Sequence, residues 1–183
     1  MNWSRVLILS GPSGVGKDTI LARWSASDSR IAQAIACTTR APRPGELDEV
    51  DYKFVCHADF EAMHARGEFL EAKNVHGNWY ATRLSELDRI TKAGQWPVLK
   101  IDVQGALDVI AAHPEVLSIF LLPPSTEELK RRLRARASDS EDEIKRRLED
   151  ALHELAQACH YRHRVVNDDP DRAVAELMEL LNP

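Results

Sequence analysis

Short apolar runs and stretches with helical periodicity follow one another along most of this chain. Val6 to Leu9 is an unbroken apolar run and Val116 to Leu121 is apolar except for Ser118, which is typical of strands buried on both faces of a sheet, and Val98 to Asp102 predicts a third such strand. Helical spacing is clearest over 144–155, where large aliphatic residues recur along one face. This alternation predicts an α/β fold with a parallel sheet covered by helices and a ligand crevice at the carboxyl ends of the strands.

The middle of the chain has a different pattern. Over 36–93, a proline-rich loop, short alternating strands and a hairpin replace the strand-helix alternation, which predicts an inserted mixed-strand subregion. Residues 126–149 are expected to form a helical lid, because the polar segment 135–142 has no large apolar side chain to hold it in place. The core of a single domain then consists of residues 1–35, 94–125 and 150–183.

Three local patterns make sharper structural predictions. Ile31 to Cys37 reads as one short apolar segment. Thr82 has the chemistry of an N-cap for a helix that runs to Ala93. Ser125 and Glu128 have the spacing of a capping box, which predicts that a helix begins there.

A glycine-rich stretch follows the first predicted strand, and the rest of the chain is organised around it. VLILSGPSGVGKDTI (Val6 to Ile20) has the spacing glycine, four residues, glycine-lysine of the phosphate loop of nucleoside triphosphate enzymes, between a strand and a helix. Glycine allows successive backbone N–H groups to surround phosphate oxygens at the positive end of the helix. The alternative is a glycine-rich turn without a ligand. The predicted phosphate-loop residues are Gly11, Pro12, Ser13, Gly14, Val15, Gly16, Lys17, Asp18 and Thr19.

The residue after the loop lysine departs from this motif. The motif places a hydroxyl there to bind magnesium, whereas this chain has Asp18, with Thr19 one residue further on. Phosphate binding is still expected, but with a different arrangement around the metal.

Composition limits the partners of the chain. It has 183 residues, 44% hydrophobic and 29% charged, and a net charge of −5, so we expect one globular domain that binds neither nucleic acid nor a membrane surface. No apolar run approaches the roughly 18 residues of a membrane span. The three cysteines are odd in number and widely spaced, which favours reduced thiols in a cytoplasmic protein.

Two further groups of side chains are candidates for ligand binding. Arg40 and Arg43 flank a proline-stiffened loop, and two guanidinium groups at this spacing can grip one phosphate, although solvated loop arginines are the alternative. Glu71 lies inside an apolar strand and Asp102 ends another, where carboxylates are unusual unless they have partners. These partners are either a ligand with hydrogen-bond donors or basic residues of the protein.

Five segments, in the same order, make the chain resemble guanylate kinases from end to end. These segments are TTRAPRPGELDEVDYKFV (Thr38 to Val55), GEFLEAKNVHGNWYAT (Gly67 to Thr82), IDVQGA (Ile101 to Ala106), LLPPSTEELKRRLRAR (Leu121 to Arg136) and VVNDD (Val165 to Asp169). The resemblance implies transfer of a phosphoryl group from ATP, with Mg²⁺, to GMP. ATP would bind to the phosphate loop, with Asn167 near its adenine.

The resemblance also assigns roles to the remaining candidates. The GMP-binding residues would be Arg40, Arg43, Tyr52 and Tyr80 at the phosphate and Glu71, Thr82 and Asp102 at the guanine. The catalytic cations would be Lys17, Arg132, Arg136 and Arg147, of which the three arginines border the lid. Carboxylates suit guanine because its N1–H and amine are donors, and adenine lacks that donor edge.

Lys100 is a second departure close to the expected metal. Relatives usually carry an acid at this position, so the chain has an acid at 18 in place of a hydroxyl and a base at 100 in place of an acid. We hypothesise that Asp18 and Lys100 form an ion pair, with Asp18 binding magnesium or with Lys100 contacting phosphate.

Two other functions are compatible with the sequence. The phosphate loop with aspartate after lysine is similar to that of ribose 1,5-bisphosphate kinases, although a sugar phosphate does not require base-reading carboxylates. A guanylate-kinase-like binding module that has lost catalysis is the other alternative, favoured by the changes at 18 and 100 and opposed by Lys17 and the lid arginines.

Overall fold

The computed structural model describes residues 1–75, 77–135 and 141–182. The strands are β1 (Leu7–Ser10), β2 (Ile31–Gln33), β3 (Ala36–Thr38), β4 (Lys53–Phe54), β5 (Phe69–Val75), β6 (Asn78–Arg83), β7 (Trp96–Lys100), β8 (Leu117–Leu122) and β9 (His163–Val166). The α-helices are α1 (Lys17–Ser27), α2 (His57–Ala65), α3 (Leu84–Lys92), α4 (Val103–Ala112), α5 (Thr126–Arg134), α6 (Glu141–Leu155) and α7 (Pro170–Glu179). Short 3₁₀ helices span Trp3–Arg5 and Ala156–His160.

Five strands form a parallel sheet in the order β2-β7-β1-β8-β9. Strand β1 is central, so its fully buried side chains face helices on both sides: Leu7 and Leu9 pack in one hydrophobic cluster and Ile8 in another. Burial on both faces is the reason that this strand is a continuous apolar run. The predicted α/β fold with a helix-covered parallel sheet is confirmed.

Four strands form a second, mixed sheet in the order β4-β3-β6-β5. Its small core contains Cys37, Phe60 and Ala81. The segment Ile31 to Cys37, predicted as one apolar unit, is divided between the sheets, because β2 pairs with β7 whereas β3 pairs with β6. The second sheet therefore connects directly to the edge of the first.

The two predicted caps have different outcomes. Ser125 Oγ accepts a hydrogen bond from Glu128 N at 3.1 Å, as the capping box predicts. The prediction that Thr82 caps the next helix is wrong, because β6 continues through Arg83 and Arg83 is the N-cap residue of α3. The Thr82 hydroxyl instead donates to Glu71 Oε1 at 2.7 Å.

Within the described residues, none of the helices has both the length and the apolar character needed to cross a lipid bilayer.

Gly11 follows β1 at a point where the backbone passes close to β8. Its φ is +146°, and a Cβ added there would lie 2.5 Å from the carbonyl oxygen of Leu121. Both the backbone conformation and the space therefore require glycine at this position.

We expect Gly11→Ala to lower the free energy of unfolding by about 2–4 kcal/mol, the sum of backbone strain and displacement of β8. Gly94→Ala is the matched control, because Gly94 also has a positive φ, +79°, but its added Cβ meets open space. That variant should lose about 1 kcal/mol. Urea titration of both variants measures the difference, and equal losses would contradict the predicted clash.

Candidate active site

A cavity of about 370 Å³ opens at the carboxyl end of the parallel sheet, between it and the second sheet. Ligands of open α/β folds bind at this edge. The lining residues are Gly11, Ser13, Lys17, Asp18, Ala36, Arg40, Arg43, Tyr52, Glu71, Val75, Tyr80, Ala81, Lys100, Ile101, Asp102 and Glu154. Basic and acidic side chains from both sheets thus face one space.

The phosphate loop wraps the start of helix α1. Gly16 is its N-cap residue, with φ +102°, and a Cβ there would lie 2.6 Å from the Asn167 amide nitrogen. Lys17 Nζ donates to the carbonyl oxygens of Gly11 at 2.5 Å and Pro12 at 3.1 Å. Burial lowers the pKa of Lys17, and the nearby carboxylates of Glu154 and Asp18 oppose this change. The lysine thus lies folded back along the loop, at the place where phosphates would bind.

Glu154, on helix α6, lines the cavity but was not among the predicted site residues. Its Oε2 accepts a hydrogen bond from Ser13 N at 3.3 Å, so a carboxylate uses one of the loop donors. Burial raises the pKa of Glu154, although the positive charge of Lys17 opposes this rise. The helical spacing of Glu143, Arg147, Asp150 and Glu154 along a charged stripe is the signal that could have indicated it.

The predicted arginine pair lines the same cavity as the phosphate loop. Arg40 is the more buried of the two, with a side chain 13% exposed, and its Nη2 contacts Glu46 Oε1 at 2.8 Å. Its guanidinium lies 5.4 Å from the ring centre of Tyr52, and the Tyr52 and Tyr80 rings meet edge to face at 6.0 Å. Arg43 is exposed and lines the same cavity. Two guanidinium groups and two aromatic rings therefore form one wall.

Two carboxylates converge beneath this wall. A Cβ added to Gly105 would lie 3.0 Å from Glu71 Oε2 and 3.7 Å from Asp102 Oδ1, so both acids flank the same glycine. Asp102 also caps helix α4 by accepting from Gly105 N at 2.8 Å. Burial raises the pKa of Glu71 to about 7, the hydroxyl of Thr82 opposes this rise, and the negative charge of Asp102 adds to it. In the part of the chain that the structure describes, Glu71 accepts from the Thr82 hydroxyl and Asp102 from the Gly105 amide, and both donors are neutral groups.

Asp18 and Lys100 are in contact at the loop end of the cavity. Lys100 Nζ lies 2.5 Å from Asp18 Oδ1, and the two side chains are 22% and 72% exposed, respectively. The ion pair joins the first turn of α1 to the end of β7.

The remaining predicted residues support the phosphate loop from outside the cavity. Arg132 donates to the carbonyl oxygens of Val15 at 3.1 Å and Asn167 at 3.0 Å. Asn167 Nδ2 donates to Val15 O at 2.8 Å, and its Oδ1 is buried with no hydrogen-bond partner in the described part of the chain. Arg147 donates to Ser13 Oγ at 3.0 Å and lines a second cavity, of about 660 Å³, together with Arg43 and Glu154.

The structure thus brings together most, but not all, of the predicted residues. Those that line the 370 Å³ cavity are Gly11, Ser13, Lys17, Asp18, Arg40, Arg43, Tyr52, Glu71, Tyr80, Lys100 and Asp102. Predicted residues that do not line it are Pro12, Gly14, Val15, Gly16, Thr19, Thr82, Arg132, Arg147 and Asn167. Arg136 lies outside the described residues, as does most of the polar segment predicted within the lid. Besides Glu154, Arg146 on α6 was not predicted and lines the second cavity.

The chain is similar to known proteins in both sequence and fold. The family model described as guanylate kinase matches residues 3–183. The guanylate kinase of Gloeobacter violaceus is 44% identical over 97% of this chain and 87% of its own, and that of Trichormus variabilis is 41% identical over 93% and 85%. The crystal structure of guanylate kinase from Anaplasma phagocytophilum is similar, with a TM-score of 0.75 and 32% identity over 96% of this chain and 83% of that one. This chain belongs to the guanylate kinase family.

Proposed function

We propose that this protein catalyses ATP-dependent phosphorylation of GMP to GDP by direct in-line transfer. One observation carries the proposal: residues of the phosphate loop, the two arginines Arg40 and Arg43, and the carboxylates of Glu71 and Asp102 all line a single cavity. A donor phosphate chain on one side and an acceptor phosphate on the other would meet in that space. The protein is accordingly a nucleoside monophosphate kinase, a phosphotransferase.

Positioning and charge account for the chemistry. The loop amides and Lys17 hold the outer phosphates of ATP, and Arg40 and Arg43 hold the GMP phosphate, whose oxygen attacks in line. Lys17 lies at the base of the loop, where its ammonium neutralises charge on the moving phosphoryl group. Arg147 reaches the loop from the lid side, and we assign Arg132 and Arg136 to the same cationic group by their place in the family motif.

Ionised Glu71 and Asp102 give the acceptor site its preference for guanine. Their oxygens accept from N1–H and the exocyclic amine, and a base without these donors leaves buried acceptors unpaired. The Thr82 hydroxyl orients Glu71. At the other nucleotide, the buried Asn167 Oδ1 is suited to accept from the adenine amine.

The donor set fits a magnesium ion that arrives with the nucleotide. The described residues contain no group of three or more His, Cys, Asp or Glu side chains that could hold a metal by themselves. Mg²⁺ commonly binds through one or two carboxylates together with substrate phosphates and water. Asp18 is the carboxylate at the phosphate end of the cavity that would hold it. When bound, the ion supplies positive charge to the phosphate oxygens.

We also propose the division of the chain into a core, a GMP-binding subregion over 36–93 and a lid over 126–149. The separate second sheet supports the subregion, and the hydrogen bond from Arg147 to Ser13 of the phosphate loop supports the lid. The free cysteines Cys37, Cys56 and Cys159 support a cytoplasmic location.

Neither alternative function is favoured. The comparisons with curated guanylate kinases favour GMP as acceptor over ribose 1,5-bisphosphate, and the cavity retains the loop lysine that a pure binding module does not require.

A coupled assay of the purified protein with ATP and either GMP, AMP, dGMP or ribose 1,5-bisphosphate tests the proposal. We expect turnover of GMP at least about 10⁴-fold more efficient than that of AMP. Activity on the sugar alone would overturn the proposed acceptor.

Loss of the exposed wall arginine should affect one substrate only. We expect Arg43→Met to raise the KM for GMP about 10- to 100-fold, because a charge-assisted contact to phosphate is lost, while the KM for ATP stays unchanged. Arg66→Met removes an exposed arginine outside the cavity and serves as the control. Steady-state kinetics with each substrate varied in turn measures both constants. A raised KM for ATP with an unchanged KM for GMP would contradict the placement of Arg43.

The raised pKa of Glu71, about 7, predicts a pH dependence of GMP binding. Below this pKa the carboxyl is protonated and loses an acceptor, so affinity should increase as pH rises from 6 to 8. Glu71→Gln should bind GMP more weakly and lack this component. The GMP phosphate itself titrates at pH ~6, and the curve of Glu71→Gln contains this contribution alone. Calorimetric titrations of both proteins from pH 6 to 8 measure the affinity for GMP, and parallel curves would contradict the role of Glu71 in binding guanine.

The same carboxyl should reduce stability when it ionises. Its pKa rises from 4.5 in the unfolded chain to about 7 in the folded protein, so the folded state favours the protonated form. Its stabilising contribution is complete below pH 4.5 and is lost as pH rises through 7. We therefore compare the denaturation midpoint of Glu71→Gln with that of wild type at each pH. The midpoint of the variant minus that of wild type should be larger at pH 8 than at pH 5. An unchanged difference between the two proteins at these pH values would contradict the buried charge.

A further inference from the structure

Lys100 is a cavity cation that the phosphate-loop motif does not include. It ends strand β7, whose register places Lys100 beside Leu9, one residue before the end of β1. Leu99, its neighbour in the strand, is buried in the core, so the alternation of side chains turns Lys100 away from that cluster. Its side chain, 22% exposed, lines the 370 Å³ cavity. The fold therefore fixes an ammonium group at the carboxyl edge of the sheet.

This ammonium and that of the loop lysine, Lys17, line the same cavity. The ammonium groups of Lys17 and Lys100 repel each other, and an anion between or beside them reduces that repulsion. A chain of phosphates is such an anion, and the loop amides already mark where it would lie.

Asp18 holds Lys100 in this position without filling the cavity. The contact of 2.5 Å involves Oδ1 of a carboxylate that is 72% exposed, at the first turn of α1. The same carboxylate is the group that would hold magnesium, so the metal and the lysine share one anchor. The Lys100 ammonium can therefore supply part of the positive charge that a metal ion supplies to phosphate oxygens.

We infer that Lys100 is a second phosphate-binding lysine, anchored by Asp18, and that it lets the enzyme bind the triphosphate of ATP with less help from magnesium. The inference rests on the proposed function for the identity of the nucleotide. It assigns Lys100 to contact with phosphate and Asp18 to positioning.

Calorimetric titration of ATP, with EDTA and then with excess Mg²⁺, tests this assignment in the full-length protein. We expect Lys100→Met to weaken metal-free ATP binding about tenfold or more, since one unit charge near the phosphates is lost. The gain in affinity on adding Mg²⁺ should become correspondingly larger than in wild type. Lys92→Met is the control: Lys92 is an exposed lysine at the end of α3, and its loss should leave both values unchanged.

Asp18→Asn separates phosphate contact from a merely structural role. This variant keeps the ammonium and removes its anchor, so metal-free ATP binding should be weakened less than in Lys100→Met. Equal weakening in both variants would show that the ion pair matters only for structure and would overturn the inference. GMP titration confirms that each variant is folded, and Lys100→Gln replaces Lys100→Met if that protein does not fold.

The outcomes also distinguish this inference from the proposed function. If wild type and Lys100→Met bind metal-free ATP equally and gain equally from Mg²⁺, the inference is wrong, whatever the coupled assay shows. If wild type binds ATP but forms no GDP from GMP at any Mg²⁺ concentration, the proposed function fails and the ATP titrations still decide the role of Lys100.

Discussion

Two nucleotide phosphate groups repel each other, and a phosphotransferase must hold both in one enclosed space. In the site that we propose, the opposing charge would come from separate parts of the fold: Lys17 from the start of α1, Lys100 from the end of β7, and Arg40 with Arg43 from the loop after β3. The parallel sheet is what makes this possible. Because its strands all end at one edge, side chains distant in sequence reach the same cavity.

Negative charge in the cavity is as important as positive charge. Glu71 and Asp102 flank Gly105, and Glu154 accepts a hydrogen bond from the Ser13 amide of the phosphate loop. Burial raises the pKa of Glu71 and of Glu154, so a hydrogen-bond donor or a cation nearby favours their ionised forms. In our proposal, the acceptor site at Glu71 and Asp102 would therefore favour a base that presents hydrogen-bond donors. In the donor site a phosphate would compete with Glu154 for the amide of Ser13.

Local sequence determines the parts of this structure that were predicted. The buried strand before Gly11, the helix that starts at Lys17 and the parallel sheet follow from apolar runs and glycine spacing. The division of 31–37 between two sheets was not predictable in this way, because both halves are short and apolar and only their pairing partners differ. Thr82 has the chemistry of a cap, but the pairing of β6 with β5 extends the strand past it and turns its hydroxyl to Glu71.

In the candidate site too, contacts between distant segments could not be predicted from local sequence. Motif residues from the phosphate loop and the arginine loop could be identified from spacing, whereas Glu154 depends on how α6 packs against the loop. The charge change at 18 and 100 was visible in the sequence, and the register of β7 beside β1 explains why the two side chains meet.

In our proposal, two phosphate sites share one cavity. A bisubstrate ligand, in which a polyphosphate chain joins adenosine to guanosine, tests this arrangement by calorimetric competition. We expect one equivalent of this ligand to bind and to displace both ATP and GMP. Displacement of only one nucleotide, or binding of two equivalents, would contradict it.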